Sequence, residues 1–167
     1  GAGTAYDKQC ELHLFTFVLL DGFSHLSLVS ALETLKAANL VAGSQLYDWK
    51  TCSLSGGPVR SSVGLALPVD FDVRDITHLQ DIVIVSGEGA FEIDIGRLKV
   101  WLARVGRGQT RVTALGTGSI IMARIGLLDG KSAAVHPWYR TGFTELYQSV
   151  TLSRQTHHAK GLRCSAS

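Results

Sequence analysis

The stretch Asp81-Ile82-Val83-Ile84-Val85 constrains this chain more than any other feature. Four consecutive β-branched apolar residues make a strand with no polar side to turn to water. A strand of that kind is buried on both faces, which points to a parallel sheet covered by helices above and below. It runs straight into Ser86-Gly87-Glu88-Gly89, a glycine-rich turn at its carboxyl end.

The rest of the chain alternates in the same manner. Leu12 to Leu20 (LHLFTFVLL) is a short, aromatic-rich apolar run closed by Asp21-Gly22, and reads as the first strand. From Ser24 to Ala42 the period changes. Leu26, Val29, Ala31, Leu32, Leu35, Ala38 and Leu40 recur at helical spacing, with Ser24 as N-cap and Gly43 as stop. Tyr47 to Leu54 reads as a second strand, Leu65 to Val69 as a short edge strand, and Asp70 to Leu79 as a polar connection. A helix over Ile95 to Val105, a strand over Arg111 to Leu115 and a helix over Ser119 to Ile125 follow. Beyond them come a strand over Ser132 to Val135 and a helix over Pro137 to Gln148, with its proline in the first turn. Val150 to Gln155 and Leu162 to Ser165 read as closing strands. Strand and helix in alternation predict an α/β fold, a doubly wound, mostly parallel sheet with helices on both faces.

A length of 167 residues fits one domain, read here as 12–167, after an arm over 1–11 that looks disordered or like a cloning remnant. A hydrophobic fraction of 46% suits a sheet buried on both faces. The net charge of +2 carries no message, and Lys and Arg are scattered without a basic stripe, so no nucleic-acid footprint is visible. Cys10, Cys52 and Cys164 are odd in number and lack metal-ligand spacing. They suit a reduced, cytoplasmic compartment, with no metal and no cofactor implied. No apolar run is long enough for a membrane span.

Open α/β sheets bind ligands beyond the carboxyl ends of their strands. Four segments lie there: 21–25, 86–89, 116–119 and 136–138. The sharpest is Ala114-Leu115-Gly116-Thr117-Gly118, a strand that turns abruptly into a helix. Such a turn can display its middle residue as an exposed nucleophile. Here that residue is Gly116, which has no side chain to attack with.

Three runs then coincide: Ala31-Leu32-Glu33-Thr34-Leu35-Lys36-Ala37-Ala38-Asn39, Gly116-Thr117-Gly118-Ser119, and Ala123-Arg124-Ile125-Gly126-Leu127-Leu128-Asp129-Gly130, followed by His136. Together they resemble the amidotransferase-like sensor domain, related to DJ-1 and PfpI, that stands at the N-terminus of AraC-type transcriptional regulators. The resemblance covers roughly residues 12 to 165. It implies a three-layer, flavodoxin-like sandwich, usually dimeric, that binds small metabolites such as amino acids or quaternary amines. A helix-turn-helix domain, absent from this chain, would contact DNA. The resemblance places Glu33 beside the nucleophile position, Gly116 at the position of the family's cysteine, and His136 at the end of the next strand. Pro137 follows that histidine where tryptophan is more usual.

The residue readings leave alternatives open. Glu33 is either a solvated helix residue or a carboxylate aimed at the elbow to hold a ligand's amine. His136 is either a packed, backbone-satisfied histidine or a ligand contact. Ser86, Gly87, Glu88 and Gly89 offer backbone N–H groups as a nest for a carboxylate. Asp21, Phe23 and His25 either wall the pocket or simply open the helix. Thr117 is a hydroxyl one residue beyond the nucleophile place. Glycine at 116 is expected to leave a small hollow bordered by Glu33 and His136. On these grounds the chain is expected to be a non-catalytic sensing and dimerisation domain. The alternative is a hydrolase or lyase of the DJ-1/PfpI type.

Overall fold

A computed structural model describes residues 12–77, 79–105 and 110–126, together with the short strand Arg140–Thr141. The elements in chain order are β1 (His13–Leu19), α1 (His25–Ala42), β2 (Tyr47–Ser53), β3 (Val59–Arg60), β4 (Ala66–Leu67) and β5 (Phe71–Asp72). They continue with β6 (Asp81–Ser86), α2 (Gly96–Val105), β7 (Arg111–Gly116), α3 (Gly118–Arg124) and β8 (Arg140–Thr141). The main sheet has the order β5-β2-β1-β6-β7-β8, and each of its described pairings is parallel. The chain winds outward from β1 to one edge, then returns to β6 and winds to the other. The switch point therefore lies between β1 and β6, where a crevice opens beyond the strand ends.

Alternation along β1 divides the core into two layers. Phe15, Phe17 and Leu19 join Leu28, Ala31, Leu35 and Ala38 of α1, along with Tyr47, Val83, Val85 and Leu115. On the opposite face Val18 and Leu20 join Cys52, Ile82, Ile84 and Ala114, covered by Leu98 and Trp101 of α2 and Ile121 and Met122 of α3. All six residues of β6 are buried, as its composition requires.

Both ends of α1 fall where its caps predict. The Ser24 hydroxyl accepts from the Ser27 N–H at 3.3 Å, and Gly43 adopts a left-handed φ of 67°. Asn39 ties the helix to β2. Its amide oxygen accepts from the N–H groups of Leu46 and Tyr47, and its amide nitrogen donates to the Tyr47 carbonyl, each at 2.9 Å. At the amino ends of the strands, His13 pairs with the buried Asp81.

Three expectations change. The strand expected over 65–69 shrinks to β4, which pairs antiparallel with β3 in a separate ribbon, while the sheet edge is β5, within the stretch read as a connection. Two-residue strands carry too little periodicity to be read locally; pairing to a distant neighbour defines them. Within the stretch expected as a helix over 137–148, Arg140 and Thr141 form β8 instead, paired with Thr113 and Ala114 at the edge of β7. The strands expected over 132–135, 150–155 and 162–165 lie outside the described residues, as does the arm over 1–11.

Candidate functional site

The carboxyl ends of β1, β6 and β7 meet at the switch point, and glycines let them meet closely. Gly116 closes β7 with φ 62°, the left-handed backbone that a nucleophile elbow imposes and that glycine adopts without strain. A Cβ placed on Gly116 would stand 2.2 Å from the Ser86 carbonyl oxygen and 3.1 Å from the Ser24 Cβ. No side chain fits there unless the end of β6 moves. The Cβ position at Gly116 is therefore taken by backbone of the neighbouring strand, while Gly116 itself is exposed. The same Ser86 carbonyl accepts from the Ser24 N–H at 3.1 Å, which joins β6 to the start of α1.

Gly87 repeats the arrangement one residue on. Its Cβ position lies 2.0 Å from the Gly22 carbonyl oxygen, and Gly87 is bridged to Phe23. Gly87 is buried, whereas Glu88 and Gly89 are exposed. Of the expected N–H nest, only its outer half is open to a solute. The Thr117 hydroxyl donates to the Gly87 carbonyl at 2.5 Å, so its proton is held by a backbone acceptor rather than by a base.

Glu33 does not face the elbow. At about 100° per residue it sits half a turn away from the line of Leu28, Ala31, Leu35 and Ala38, on the outward side of α1. It is exposed, and it stands nine residues beyond Ser24, roughly 13 Å along the helix axis. Helical phase overturns the expected contact. The exposed carboxylates that do adjoin the crevice are Asp21 and Glu88, and a Cβ on Gly22 would come within 3.0 Å of the Glu88 carbonyl. His136 lies outside the described residues.

Two contacts escaped the sequence reading, those of Ser24 and the Ser86 carbonyl at the elbow, while His25 was read as a pocket wall or a helix opener. Ser24 serves as a cap and also as a wall of the elbow. The Ser86 carbonyl closes the nucleophile position. His25 stacks on Phe23, with ring centroids 6.3 Å apart, and its Nδ1 is buried without a hydrogen-bond partner. The spacing of Gly22, Gly87, Gly116 and Gly118 was the available signal, since glycines at several strand ends imply close backbone approach. Cys52 is buried in β2, and burial pushes its thiol up to about 12, so it stays protonated and inert. Among the described residues no cluster of His, Cys, Asp or Glu is arranged to hold a metal ion. Among them, too, no helix is long and apolar enough to cross a membrane.

The sequence pattern of the DJ-1/PfpI family matches residues 15–156. The chain belongs to that family. Its curated relatives include the HTH-type transcriptional regulator CdhR of Pseudomonas aeruginosa, 31% identical over 152 residues, which are 91% of this chain and 45% of that protein. The HTH-type transcriptional regulator GbdR of the same species is 38% identical over 138 residues, 82% of this chain and 37% of that protein. The chain thus spans less than half the length of either regulator. Among solved structures, an AraC family transcriptional regulator from Pseudomonas putida superposes with a TM-score of 0.63 at 23% identity, covering 77% of this chain and 75% of that one. That likeness carries the fold: a DJ-1/PfpI α/β sandwich whose elbow bears glycine.

Proposed function

We propose that this chain is the effector-sensing and dimerising part of a cytoplasmic transcriptional regulator, and that it performs no catalysis. The observation that carries this reading is the elbow. Gly116 supplies no heteroatom, and the space a nucleophile would occupy holds the Ser86 carbonyl. Nucleophilic catalysis needs an activated side chain at that point. Relatives named as HTH-type transcriptional regulators support the regulatory half of the reading. DNA would then be contacted by a helix-turn-helix domain of a longer regulator, while this part binds a metabolite and shifts between two states.

The effector is proposed to be an amino acid or a quaternary amine, seated over Gly116 and Thr117. Asp21 and Glu88, both exposed beside the crevice, would meet its cationic end, in place of Glu33. The open outer half of the 86–89 turn would meet a carboxylate. A panel of amino acids and quaternary amines tests this by thermal shift. A true effector at about 100 times its dissociation constant adds about 2.7 kcal/mol, a rise of roughly 5–10 °C for a domain of this size. The same preparation should show no turnover of ester or glyoxal substrates above buffer. A flat melting temperature across the panel would remove the sensing reading. Turnover lost on Thr117→Ala would put a nucleophile one residue beyond the elbow and make the chain an enzyme.

A further inference from the structure

The β3–β4 ribbon forms a sheet of its own, yet its backbone is tied to the elbow by the segment that leads into α1. The Gly22 N–H donates to the Arg60 carbonyl, and the Ser62 N–H donates to the Phe23 carbonyl, each at 2.8 Å. The Oγ of Ser62 also accepts from the His25 N–H at 3.3 Å. Phe23 therefore stands between two rows, bridged in parallel to Ser61 on one side and antiparallel to Gly87 on the other. The Ser24 N–H meets the second row at the Ser86 carbonyl, and the Thr117 hydroxyl holds the Gly87 carbonyl from the elbow side. Hydrogen-bonded rungs thus run from Thr117 through 86–87 and 22–24 to 60–62. This ladder has little play. A Cβ on Gly87 would stand 2.0 Å from the Gly22 carbonyl oxygen, and one on Gly116 would stand 2.2 Å from that of Ser86. Rows packed backbone on backbone cannot slip by side-chain adjustment, so a shift of one row displaces the next. The ribbon also moves as a piece. Its turn is closed by bonds from the Ser61 N–H to the Leu65 carbonyl at 2.8 Å and from the Arg60 guanidinium to the Gly64 carbonyl at 2.5 Å.

We propose that the ribbon is the output arm of the crevice: a solute that shifts the 86–88 turn against Thr117 carries 22–24 with it, and through them residues 60–62. The inference rests on the reading of the crevice as an effector site and adds where occupancy is reported. The turn has the anatomy this needs. Glu88 and Gly89 are exposed and meet the solute, while Gly87 is buried and forms the first rung. Because the rungs are backbone contacts in a packed environment, the response is a displacement between two arrangements and not a gradual bend.

Amide hydrogen exchange of the 167-residue chain, read residue by residue by NMR, tests the relay from the elbow end with no added ligand. Thr117→Val keeps the side-chain shape and removes the bond to the Gly87 carbonyl, whereas Gly116→Ala pushes on the Ser86 carbonyl. Each should speed exchange of the Ser24 N–H, and with it the Gly22 and Ser62 N–H groups, by at least about fivefold through local opening. The Leu46 and Tyr47 N–H groups, bonded to Asn39 near the far end of α1, should keep their wild-type exchange. Thr117→Val carries the test if Gly116→Ala folds poorly. Ser62→Ala, which removes the bond to the His25 N–H, should in turn speed exchange at Ser24, because coupling between two sites is reciprocal. Faster exchange at Ser24 with Gly22 and Ser62 unchanged would overturn the proposal, since the first rungs would then yield without the ribbon. A uniform rise that includes Leu46 and Tyr47, or no change at any of these amides, would overturn it as well. The two readings fail separately. Silent ribbon amides beside a responsive thermal-shift panel overturn the relay alone, and coupled amides beside a flat panel overturn sensing alone.

Discussion

Replacing Gly87 by alanine is expected to lower the unfolding free energy by about 3 kcal/mol, measured by urea denaturation. The added carbon would stand 2.0 Å from the Gly22 carbonyl oxygen and 3.1 Å from the Ser24 nitrogen. These are backbone atoms, so no rotamer change relieves the overlap. The chain over 21–24 must lift away from β6, and that breaks the Phe23–Gly87 bridge together with the bond from the Ser24 N–H to Ser86. Overpacking in a tight site typically costs about 1–3 kcal/mol, and disrupted backbone pairing adds to it. Domains hold only about 5–15 kcal/mol in total, so the variant should also melt well below the wild type. A loss under about 1 kcal/mol would mean that the 21–24 segment yields freely and that the strand ends are not locked together.

Gly116→Cys, the change that would restore a nucleophile to the elbow, should cost a comparable about 2–5 kcal/mol and should not yield a reactive thiol at the usual place. Two costs add. A left-handed φ of 62° is unfavourable by about 1–2 kcal/mol for a residue with a side chain. The overlap at 2.2 Å with the Ser86 carbonyl then adds the steric cost already described. Gly43→Ala separates the two contributions. Gly43 has a similar φ of 67° but nothing within 4 Å of its Cβ position, so alanine there should cost only about 1 kcal/mol. Equal losses at the two positions would show that conformation alone decides, and that the Ser86 carbonyl moves aside at little cost.

Much of the fold was legible because its signals are local. The β-branched run of β6, the cap Ser24, the left-handed Gly43 and the abrupt turn at Gly116 each state their geometry within a few residues. Glu33 was misplaced for a physical reason. Leucines and valines occupy both sides of α1, so hydrophobic periodicity does not say which side meets the sheet. Leu28 and Leu35 are buried while Leu26 and Leu40 are exposed, and only packing decides between the two sets. The closure of the elbow was equally hidden, since it depends on Ser86 approaching from thirty residues away in the chain. Short elements failed in the same way, as β4 and β5 exist only through their neighbours.

The position of β1 at the middle of the sheet also governs the order in which the molecule can be completed. β1 leaves the ribosome well before β6, one of its two neighbours, which pairs Phe15 with Asp81 and Leu19 with Val85. Until that later segment emerges, a nascent chain holding β1, α1 and β2 has an apolar strand with one flank unsatisfied. Fast local helix formation in α1 does not relieve this, because the missing bonds run along the strand and not across its face. Chain elongation thus sets a lower limit on the time before the core closes. A fragment ending before residue 81 should collect into aggregates on sedimentation, whereas one extending through β7 should not.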